Sequence, residues 1–244
     1  WVKAATGWQT YSVHNSSETE LIPRSHDPIA YLGVLGITGL SAYFGLLDVG
    51  RPRDGETVMV SAAGGSVGHI AGQLAKIKGA RVVGVCGNES KGKILRSKLG
   101  FDAVVNYKDD DFREQLKDAT PDGVDVYFDN VGGVTLDAAL MTMAQGGRIV
   151  GCGMISDYNN AATPTPLYNL WQVVERQLKM QGFLLYSYLD DLPAASAALE
   201  AWLLSGKLKA MENITQGLSE AGAAYSAMMA GTTKGKNLVA VGER

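Results

Sequence analysis

The stretch from Thr57 to Lys78 places the strongest constraint on what this chain can fold into. An apolar run over Thr57–Ser61 is followed by a turn of small residues and then by apolar side chains at helical spacing over Gly65–Lys78. A buried strand that enters a helix through a glycine-containing turn is typical of an α/β protein with a parallel sheet. We therefore expect this stretch to form the first strand–turn–helix unit of such a sheet.

The alternation of strand and helix continues through the middle of the chain. The predicted strands are Thr57–Ser61, Arg81–Cys86, Ala103–Asn106, Val124–Asp129, Arg148–Gly153 and Met180–Tyr186. The predicted helices are Ser41–Leu47, Gly65–Lys78, Ser90–Leu99, Phe112–Ala119, Thr135–Ala144, Leu167–Leu178 and Pro193–Ser205. Strands and helices at this spacing predict an α/β fold with a doubly wound, parallel, six-stranded sheet, the Rossmann architecture.

The two ends of the chain do not follow this alternation. Residues 1–30 contain a strand-like pattern over Trp8–Val13, and the residues after Lys207 contain short apolar runs around a predicted helix, Ser219–Ala230. The chain opens with Trp1-Val2-Lys3, which lacks a starting Met and resembles the middle of a strand. We therefore expect a fragment whose N-terminal portion is missing.

Composition argues against several classes of protein. The chain has 25 acidic and 22 basic side chains, so no strongly basic surface for nucleic acid is expected. No apolar run reaches the ~18 residues of a membrane span, and no signal peptide opens the chain. Two cysteines and three histidines are a poor set of zinc ligands. We expect a cytoplasmic protein without a metal site, and interpret Cys86, Cys152, His14, His26 and His69 as structural or surface residues.

The turn after the first strand carries the main chemical signal. It reads Ala62-Ala63-Gly64-Gly65-Ser66-Val67-Gly68, an A-x-x-G-x-x-G pattern. Free N–H groups and the positive end of the helix dipole attract phosphate at a helix N-terminus. Gly65 lets the backbone approach a pyrophosphate, and Gly68 permits close packing of helix on strand. We predict dinucleotide binding by Gly65, Ser66, Val67 and Gly68.

The end of the second strand indicates which dinucleotide is bound. Enzymes that use NAD usually place Asp or Glu there to bind the ribose 2′-OH, whereas this strand ends in Cys86-Gly87-Asn88. Lys91 follows and suits a 2′-phosphate, so the sequence favours NADP(H). Glu89 is a nearby acid and leaves NAD as an alternative.

Three later strand ends supply further candidates. Tyr107 could contact the adenosine, Asn130 could hold a ribose or phosphate, and Tyr158 could approach the nicotinamide or substrate. The Tyr/Lys pair of short-chain dehydrogenases and the G-x-S-x-G turn of one hydrolase class are absent from the sequence. These patterns favour a nucleotide-dependent oxidoreductase.

Taken together, these motifs resemble the zinc-independent medium-chain dehydrogenases/reductases, in the branch of the prostaglandin reductases, plant alkenal reductases and bacterial curcumin reductases. The matching segments are Gly7-Trp8-Gln9 with Tyr11, Leu35–Leu46, the glycine turn, Leu99–Asp102, Asn106–Lys108, Asp129–Gly133, Gly147–Asn159 and Gln181–Phe183. The resemblance extends along nearly the whole chain, and the combination of motifs is specific to this branch.

The resemblance implies NADPH-dependent reduction of the carbon–carbon double bond of α,β-unsaturated aldehydes and ketones. Hydride would go to the β-carbon, and the enolate oxygen would need a hydrogen-bond donor. Lys91 would meet the 2′-phosphate, and Tyr107 and Asn130 would hold the nucleotide. The residues implied around the nicotinamide are Cys152, Gly153, Ile155, Ser156 and Tyr158, the last as the candidate catalytic residue, together with Phe183, Leu184 and Leu185.

The resemblance also implies an architecture. A Rossmann domain over residues 31–207 would be inserted into a GroES-like, β-rich catalytic domain. Residues 1–30 would be the C-terminal part of that catalytic domain's first portion, and residues 208–244 the return to it. A homodimer formed through the edge of the sixth strand, acting on a small enone or enal, is implied as well.

Two positions depart from the family pattern. Thr233 stands where a G-x-N-x-G-K segment carries a cofactor-binding Asn, and Glu175 stands where several members carry a substrate-facing Tyr. Thr233 is retained as a candidate cofactor residue. Two alternatives remain open: a quinone or carbonyl reductase that uses the same cofactor domain, and a nucleotide-binding module without turnover.

Overall fold

The computed structural model describes residues 1–23, 27–158 and 162–242, so His26 and Asn159 lie outside the described residues. Its strands are β1 (Val2–Lys3), β2 (Glu20–Leu21), β3 (Thr57–Val60), β4 (Arg81–Cys86), β5 (Ala103–Asn106), β6 (Val124–Asp129), β7 (Met143–Gly151), β8 (Lys179–Gly182), β9 (Glu212–Gln216) and β10 (Lys236–Ala240). Its α-helices are α1 (Ile37–Tyr43), α2 (Gly68–Ile77), α3 (Glu89–Leu99), α4 (Phe112–Ala119), α5 (Gly133–Leu140), α6 (Gln172–Glu175), α7 (Leu192–Leu204) and α8 (Ala221–Met229), and a π-helical segment, Phe44–Gly50, continues α1. None of the described helices has both the length and the apolar character needed to cross a lipid bilayer.

Six strands form one parallel sheet in the order β5-β4-β3-β6-β7-β8. The predicted doubly wound, six-stranded sheet is therefore confirmed. The chain proceeds from β3 outward to β4 and β5, and then returns to place β6 on the other side of β3. This reversal creates a crevice at the carboxyl ends of β3 and β6, which is where ligands bind in open α/β sheets.

The central strands are apolar throughout because helices cover both faces of the sheet. In β3, Val58 and Val60 belong to the core on one face, and Met59 belongs to the core on the other. All three side chains are fully buried. The first core includes Ile70 of α2, and the second includes Leu116 of α4. A continuous apolar run is the pattern expected of a strand covered on both faces.

The helix predicted over Leu167–Leu178 was mostly wrong, since only α6 forms there. The carboxylate of buried Asp137 accepts the backbone N–H groups of Tyr168 and Asn169 at 2.7 and 2.8 Å. These long-range hydrogen bonds hold the residues before α6 in an irregular conformation. The helical spacing of apolar residues in the sequence does not indicate such bonds.

Other predicted boundaries also differ. The pattern over Trp8–Val13 forms no strand in the described part of the chain, and Tyr11 and Val13 are almost fully exposed there. Helix α3 is capped by Asn88 rather than by Ser90, because the Asn88 carboxamide oxygen accepts the Lys91 N–H at 2.9 Å. Further boundaries differ as well: α1 begins at Ile37 rather than Ser41, and α2 begins at Gly68 rather than Gly65. The observed ranges of β7, α5, α7 and β8 are Met143–Gly151, Gly133–Leu140, Leu192–Leu204 and Lys179–Gly182, against the predicted Arg148–Gly153, Thr135–Ala144, Pro193–Ser205 and Met180–Tyr186.

Two small sheets lie outside the six-stranded one. Strands β1 and β2 pair antiparallel, and β9 and β10 pair parallel. Gln73 of α2 connects the central sheet region to the segment before β9, since its carboxamide accepts the Lys209 N–H at 2.8 Å and donates to the Lys209 carbonyl at 3.0 Å. The division into residues 1–30, 31–207 and 208–244 stays a prediction.

Candidate functional site

The glycine turn, Ala62–Gly68, joins β3 to α2 at the crevice. The Gly65 N–H donates to the Ala62 carbonyl at 2.8 Å, and Ala62 has a φ of 45°, which few residues other than glycine adopt. A β-carbon at Gly68 would lie 2.4 Å from the Ala62 carbonyl oxygen. Only glycine therefore fits at Gly68, and α2 begins close against the strand end.

The turn presents two free backbone donors. Within the ranges that the structure describes, the N–H groups of Val67 and Gly68 make no hydrogen bond, whereas the parallel bridge between Gly65 and Gly235 directs the Ser66 N–H toward the Gly235 carbonyl. A β-carbon at Gly65 would have only the Ala62 carbonyl oxygen within 4 Å, so no side chain packs directly on that face of Gly65. Free N–H groups at the positive end of a helix dipole fit the oxygens of a pyrophosphate.

Lys91, in the first turn of α3, lies beside the glycine turn. A β-carbon at Gly64 would lie 3.0 Å from Lys91 Cδ, so the lysine stem packs on that backbone. The ammonium group donates to the Gly231 carbonyl. Burial lowers the pKa of Lys91, while Cys86 opposes this shift and Lys108 adds to it. An ammonium has three protons, so Lys91 can bind an anion in addition to this carbonyl.

Tyr107 follows β5 and lies against the end of β4. A β-carbon at Gly87 would lie 2.7 Å from Tyr107 Cε1, so the ring packs on the Gly87 backbone. The Lys108 ammonium group lies 5.9 Å from the centroid of the ring, within cation–π range. The ring is 48% exposed, which leaves part of it open for stacking.

A buried network that the sequence analysis missed joins the ends of β3 and β6. Oδ1 of Asp129 accepts the Ser61 hydroxyl at 3.0 Å and the Tyr127 hydroxyl at 2.8 Å. The same oxygen accepts the N–H groups of Val131 and Gly132, both at 3.0 Å. Ser61 and Asp129 are polar residues at the ends of apolar strands, and this signal could have identified them.

The network holds Asn130, a predicted nucleotide ligand. The Asn130 N–H donates to Ser61 Oγ, and its carboxamide donates to the Ser61 carbonyl, both at 2.8 Å. The side-chain oxygen of Asn130 has no partner among the described residues. Asn130 is therefore fixed at the switch point with one acceptor still available.

The segment after β7 turns back over the end of β6. The N–H groups of Cys152 and Gly153 donate to the Asp129 carbonyl at 2.8 and 3.1 Å. Burial raises the pKa of the Cys152 thiol to about 12, and the Asp129 carboxylate adds to this shift, so the thiol stays protonated. The Ser156 hydroxyl donates to the Val131 carbonyl at 2.6 Å. These bonds attach the first part of the segment to the crevice.

The end of that segment is more open. Tyr158 is 64% exposed and Ile155 is 45% exposed. The Tyr158 hydroxyl accepts the Met154 N–H at 3.3 Å and lies against Gly153. No acceptor for the Tyr158 O–H is found in the described part of the chain. The hydroxyl is therefore free to donate to a substrate.

The residues after β8 leave the sheet beside this segment, because Gly151 pairs with Gly182. The Phe183 ring packs on the π-helical segment, where a β-carbon at Gly45 would lie 2.6 Å from it. Leu185 packs against the core, whereas Leu184 is 69% exposed.

A segment near the C-terminus, Gly231–Gly235, lies against the glycine turn. The Gly235 N–H donates to the Gly64 carbonyl at 2.8 Å, and Gly235 forms a parallel bridge with Gly65. Thr233 is within this segment, and its Oγ1 accepts from the Asn237 carboxamide at 2.9 Å. The structure thus brings the turn, Lys91 and the Thr233 segment together, and it connects Asn130 to the end of β3. Their roles in binding stay predictions.

A cleft of about 890 Å³ lies elsewhere, between the N-terminal segment, α8 and β10. Its apolar lining includes Trp8, Tyr31, Ile37, Tyr225 and Met228, and none of the predicted cofactor residues borders it. Free N–H groups and a cation are found at the switch-point crevice instead. The chemistry of that crevice, rather than the size of this cleft, therefore identifies the candidate site.

Residues 66–201 match the family described as "Zinc-binding dehydrogenase". Among the residues described by the structure, no group of three or more His, Cys, Asp or Glu side chains could hold a metal ion. The described residues therefore do not fit a zinc ion.

Several proteins, one of them with a solved structure, are similar to this chain over most of its length. YfmJ of Bacillus subtilis, whose name describes an NADP-dependent oxidoreductase, is 45% identical over 240 residues, which are 97% of this chain and 71% of that protein. The NADP(+)-dependent 2-alkenal reductase of Nicotiana tabacum is 41% identical over 241 residues, which are 97% of this chain and 69% of the relative. CurA from Vibrio vulnificus, solved in complex with NADPH, matches with a TM-score of 0.91 and 37% identity over 98% of this chain and 73% of CurA. The chain belongs to the zinc-binding dehydrogenase family and, within it, to the medium-chain reductase branch that its motifs indicated.

Proposed function

We propose that this oxidoreductase uses NADPH to reduce the carbon–carbon double bond of α,β-unsaturated aldehydes and ketones, with hydride transfer to the β-carbon. The observation that carries the proposal is that two free N–H groups of the glycine turn lie beside the Lys91 ammonium. The names of the tobacco relative and of the CurA complex support the substrate class and the cofactor.

One side of the crevice is formed by the glycine turn, Lys91 and Tyr107, and we call it the phosphate side. It would bind most of the dinucleotide. The N–H groups of Val67 and Gly68 would bind the pyrophosphate, which would lie against Gly65 and Ser66, and Lys91 would bind the 2′-phosphate. The open face of Tyr107 would stack on the adenine. Bound in this orientation, NADPH would supply the hydride.

The preference for NADPH over NADH rests on the residues after β4. No carboxylate occupies the strand end, and the Asn88 side chain there is used to cap α3. Glu89, the acid that left NAD as an alternative, pairs with Lys93 one turn later at 3.1 Å. Lys91 therefore has no acidic partner in this helix turn, which suits a 2′-phosphate.

The nicotinamide side would be formed by Asn130, the segment from Cys152 to Tyr158, and Phe183–Leu185. The protonated Cys152 thiol gives no charge or nucleophile to this side. The free O–H of Tyr158 would donate to the enolate oxygen as negative charge develops there. The Thr233 hydroxyl accepts from Asn237 and keeps its proton, so it would donate to the cofactor in place of the family Asn.

The proposal extends to assembly and domain organisation. Strand β8 is the last in the sheet order and its four residues are exposed, so its outer edge is available for pairing with a second copy. Residues 1–30 and 208–244 would belong to a catalytic domain, and residues 31–207 to the cofactor domain. Free Cys86 and Cys152 suit a cytoplasmic enzyme.

The test is product analysis after incubation of the purified protein with NADPH and a simple enone. The proposal predicts a saturated ketone and oxidation of one NADPH per product. An allylic alcohol would indicate a carbonyl reductase, and hydroquinone formation with a quinone as the only active substrate would indicate a quinone reductase. NADPH binding without turnover of any of these would indicate a nucleotide-binding module.

A further inference from the structure

A serine at the end of β3 and an asparagine at the end of β6 depart from regular β pairing. Ser61 directly follows β3 and is fully buried, and Asn130 directly follows β6 and is half-buried. The Ser61 N–H donates to the Phe128 carbonyl at 3.1 Å, so the parallel ladder between the two strands continues as far as Ser61. The next residue, Ala62, begins the glycine turn.

Two side-chain bonds replace the next bond of this ladder. The bonds of a regular parallel ladder alternate between the strands, so the Asn130 N–H would donate to the Ser61 carbonyl. That N–H instead donates to Ser61 Oγ, and the Ser61 carbonyl accepts from the Asn130 carboxamide, both at 2.8 Å. The Ser61 hydroxyl proton is donated to Asp129 Oδ1 at 3.0 Å, which leaves the hydroxyl oxygen free to accept. The serine hydroxyl therefore frees its own carbonyl to hold the asparagine side chain.

This arrangement directs the side chain of Asn130. The nitrogen and the oxygen of a carboxamide diverge from the same carbon, so the oxygen is directed away from Ser61 when the nitrogen is bound there. That oxygen has no partner in the described part of the chain, and it lies at the crevice between the carboxyl ends of β3 and β6. An acceptor at this place fits a ribose hydroxyl, a group that NADPH and NADH share.

We propose that Ser61 is a positioning residue, whose hydroxyl holds the Asn130 carboxamide where it orients the nicotinamide ribose, and with it the hydride, toward the substrate. The inference rests on the proposed function, in which Asn130 belongs to the nicotinamide side of the crevice. Hydride transfer depends steeply on the distance and angle between the reacting atoms. A small shift of the ribose therefore lowers the rate of transfer more than it lowers the affinity for the dinucleotide.

The joining of the two strand ends does not by itself require the hydroxyl. Once the hydroxyl is removed, the Asn130 N–H can donate to the backbone carbonyl at position 61, as it would in a regular ladder. The carboxamide then loses the acceptor that holds it. Oδ1 of Asp129 would keep the hydroxyl of Tyr127 and two backbone N–H groups as donors. Loss of the hydroxyl should therefore affect the Asn130 side chain more than the fold.

The experiment compares three variants of the full chain, using NADPH and an enone that the original protein reduces. Ser61→Ala removes the hydroxyl, and Ser61→Thr keeps it. Tyr127→Phe is the matched control, because it removes another buried hydroxyl from the same Asp129 oxygen, at 2.8 Å, and leaves both bonds of Asn130 in place. Steady-state kinetics gives kcat, titration gives the dissociation constants for NADPH and NADH, and circular dichroism gives the melting temperature.

We expect Ser61→Ala to lower kcat about ten-fold, because a misplacement of a fraction of an ångström already slows the transfer. Both dissociation constants should change by less than about three-fold, since one contact among many is affected. The melting temperature of Ser61→Ala should fall no further than that of Tyr127→Phe. Ser61→Thr and Tyr127→Phe should keep kcat within about three-fold of the original value.

The inference and the proposed function can fail separately. If the original protein reduces no enone, the proposed function fails and the inference fails with it. If the original protein is active and Ser61→Ala keeps its kcat, or loses dinucleotide affinity as strongly as kcat, the inference alone is overturned.

Three further results would also overturn the inference alone. One is a Ser61→Ala variant that does not fold, because the regular ladder bond is expected to join the strand ends. The others are a kcat as low as that of Ser61→Ala in Tyr127→Phe or in a folded Ser61→Thr. If Ser61→Thr does not fold, the comparison of Ser61→Ala with Tyr127→Phe decides.

Discussion

The two sides of the candidate crevice differ in how well hydrogen bonds and burial fix their residues. On the phosphate side, the Gly65 carbonyl accepts from the buried His69 ring at 2.7 Å, and the Gly64 carbonyl accepts from the Gly235 N–H at 2.8 Å. On the nicotinamide side, Tyr158 and Leu184 are 64% and 69% exposed, and the Tyr158 hydroxyl has one long bond, to Met154.

This difference separates two tasks. Backbone donors keep their direction only when the surrounding bonds fix each peptide group, so the phosphate side suits recognition of a constant feature such as a pyrophosphate. Exposed side chains can adjust to substrates of different shape. We infer that cofactor affinity is determined on the phosphate side and substrate choice on the nicotinamide side, and the following predictions test this separation.

The largest expected effect comes from Gly68→Ala, which would disrupt the glycine turn on the phosphate side of the crevice. The added β-carbon would lie 2.4 Å from the Ala62 carbonyl oxygen. We expect a loss of about 3 kcal/mol of stability, a melting temperature lower by roughly 5–10 °C, and at least ten-fold weaker NADPH binding. Calorimetry measures the stability and the melting temperature, and fluorescence titration measures the affinity for NADPH. Gly222→Ala in α8 is the matched control, because no atom lies within 4 Å of its added β-carbon; equal melting temperatures would contradict the prediction.

The second effect is a dependence of stability on pH. Burial lowers the pKa of His69 to about 4 in the folded protein, against about 6.5 when unfolded. Between these values the unfolded state binds more protons, so the free energy of unfolding falls as the pH falls from 6.5 to 4, by about 3 kcal/mol. Urea denaturation at pH 7, 5.5 and 4 measures it. His69→Leu should lose this contribution, and an unchanged slope in that variant would show that other groups cause it.

The third prediction separates the 2′-phosphate from the pyrophosphate. Lys91→Ala should weaken NADPH binding by about 10- to 30-fold, because a charged hydrogen bond is lost, and should change NADH binding by less than about three-fold. Titration with the two dinucleotides measures this ratio. Lys93→Ala, on the same helix but paired with Glu89, should leave both affinities unchanged. Equal losses for NADPH and NADH in Lys91→Ala would argue against the phosphate role.

The smallest effect is expected on the open side. Tyr158→Phe should lower kcat for an enone by about three- to ten-fold, through loss of one hydrogen bond to the enolate oxygen, with NADPH affinity unchanged. Steady-state kinetics and titration measure the two quantities. Tyr168→Phe, at another exposed tyrosine, is the control. A weaker NADPH affinity in Tyr158→Phe would contradict the separation of the two sides.

Elements whose limits depend on residues close along the chain were predicted correctly, whereas elements that depend on distant residues were not. Strands β4, β5 and β6 have the predicted boundaries, since each is a short apolar run that ends at polar or glycine residues. The helix predicted over Leu167–Leu178 was mostly wrong, because hydrogen bonds to Asp137 hold the residues before α6 in an irregular conformation. Trp8–Val13 alternates like a strand, but alternation does not supply a pairing partner.

The sequence alone determined the α/β class, the sheet of six strands, the glycine turn and the family, because buried strands and a tight turn depend on residues that are close along the chain. Tertiary structure alone decided that Gly235 and Thr233 lie against the turn, that Asp129 and Ser61 fix Asn130, and that the ring of His69 reaches the Gly65 carbonyl. The spacing of apolar residues indicates which side chains are buried, but the atoms that a buried polar group meets depend on how separate strands and helices pack together.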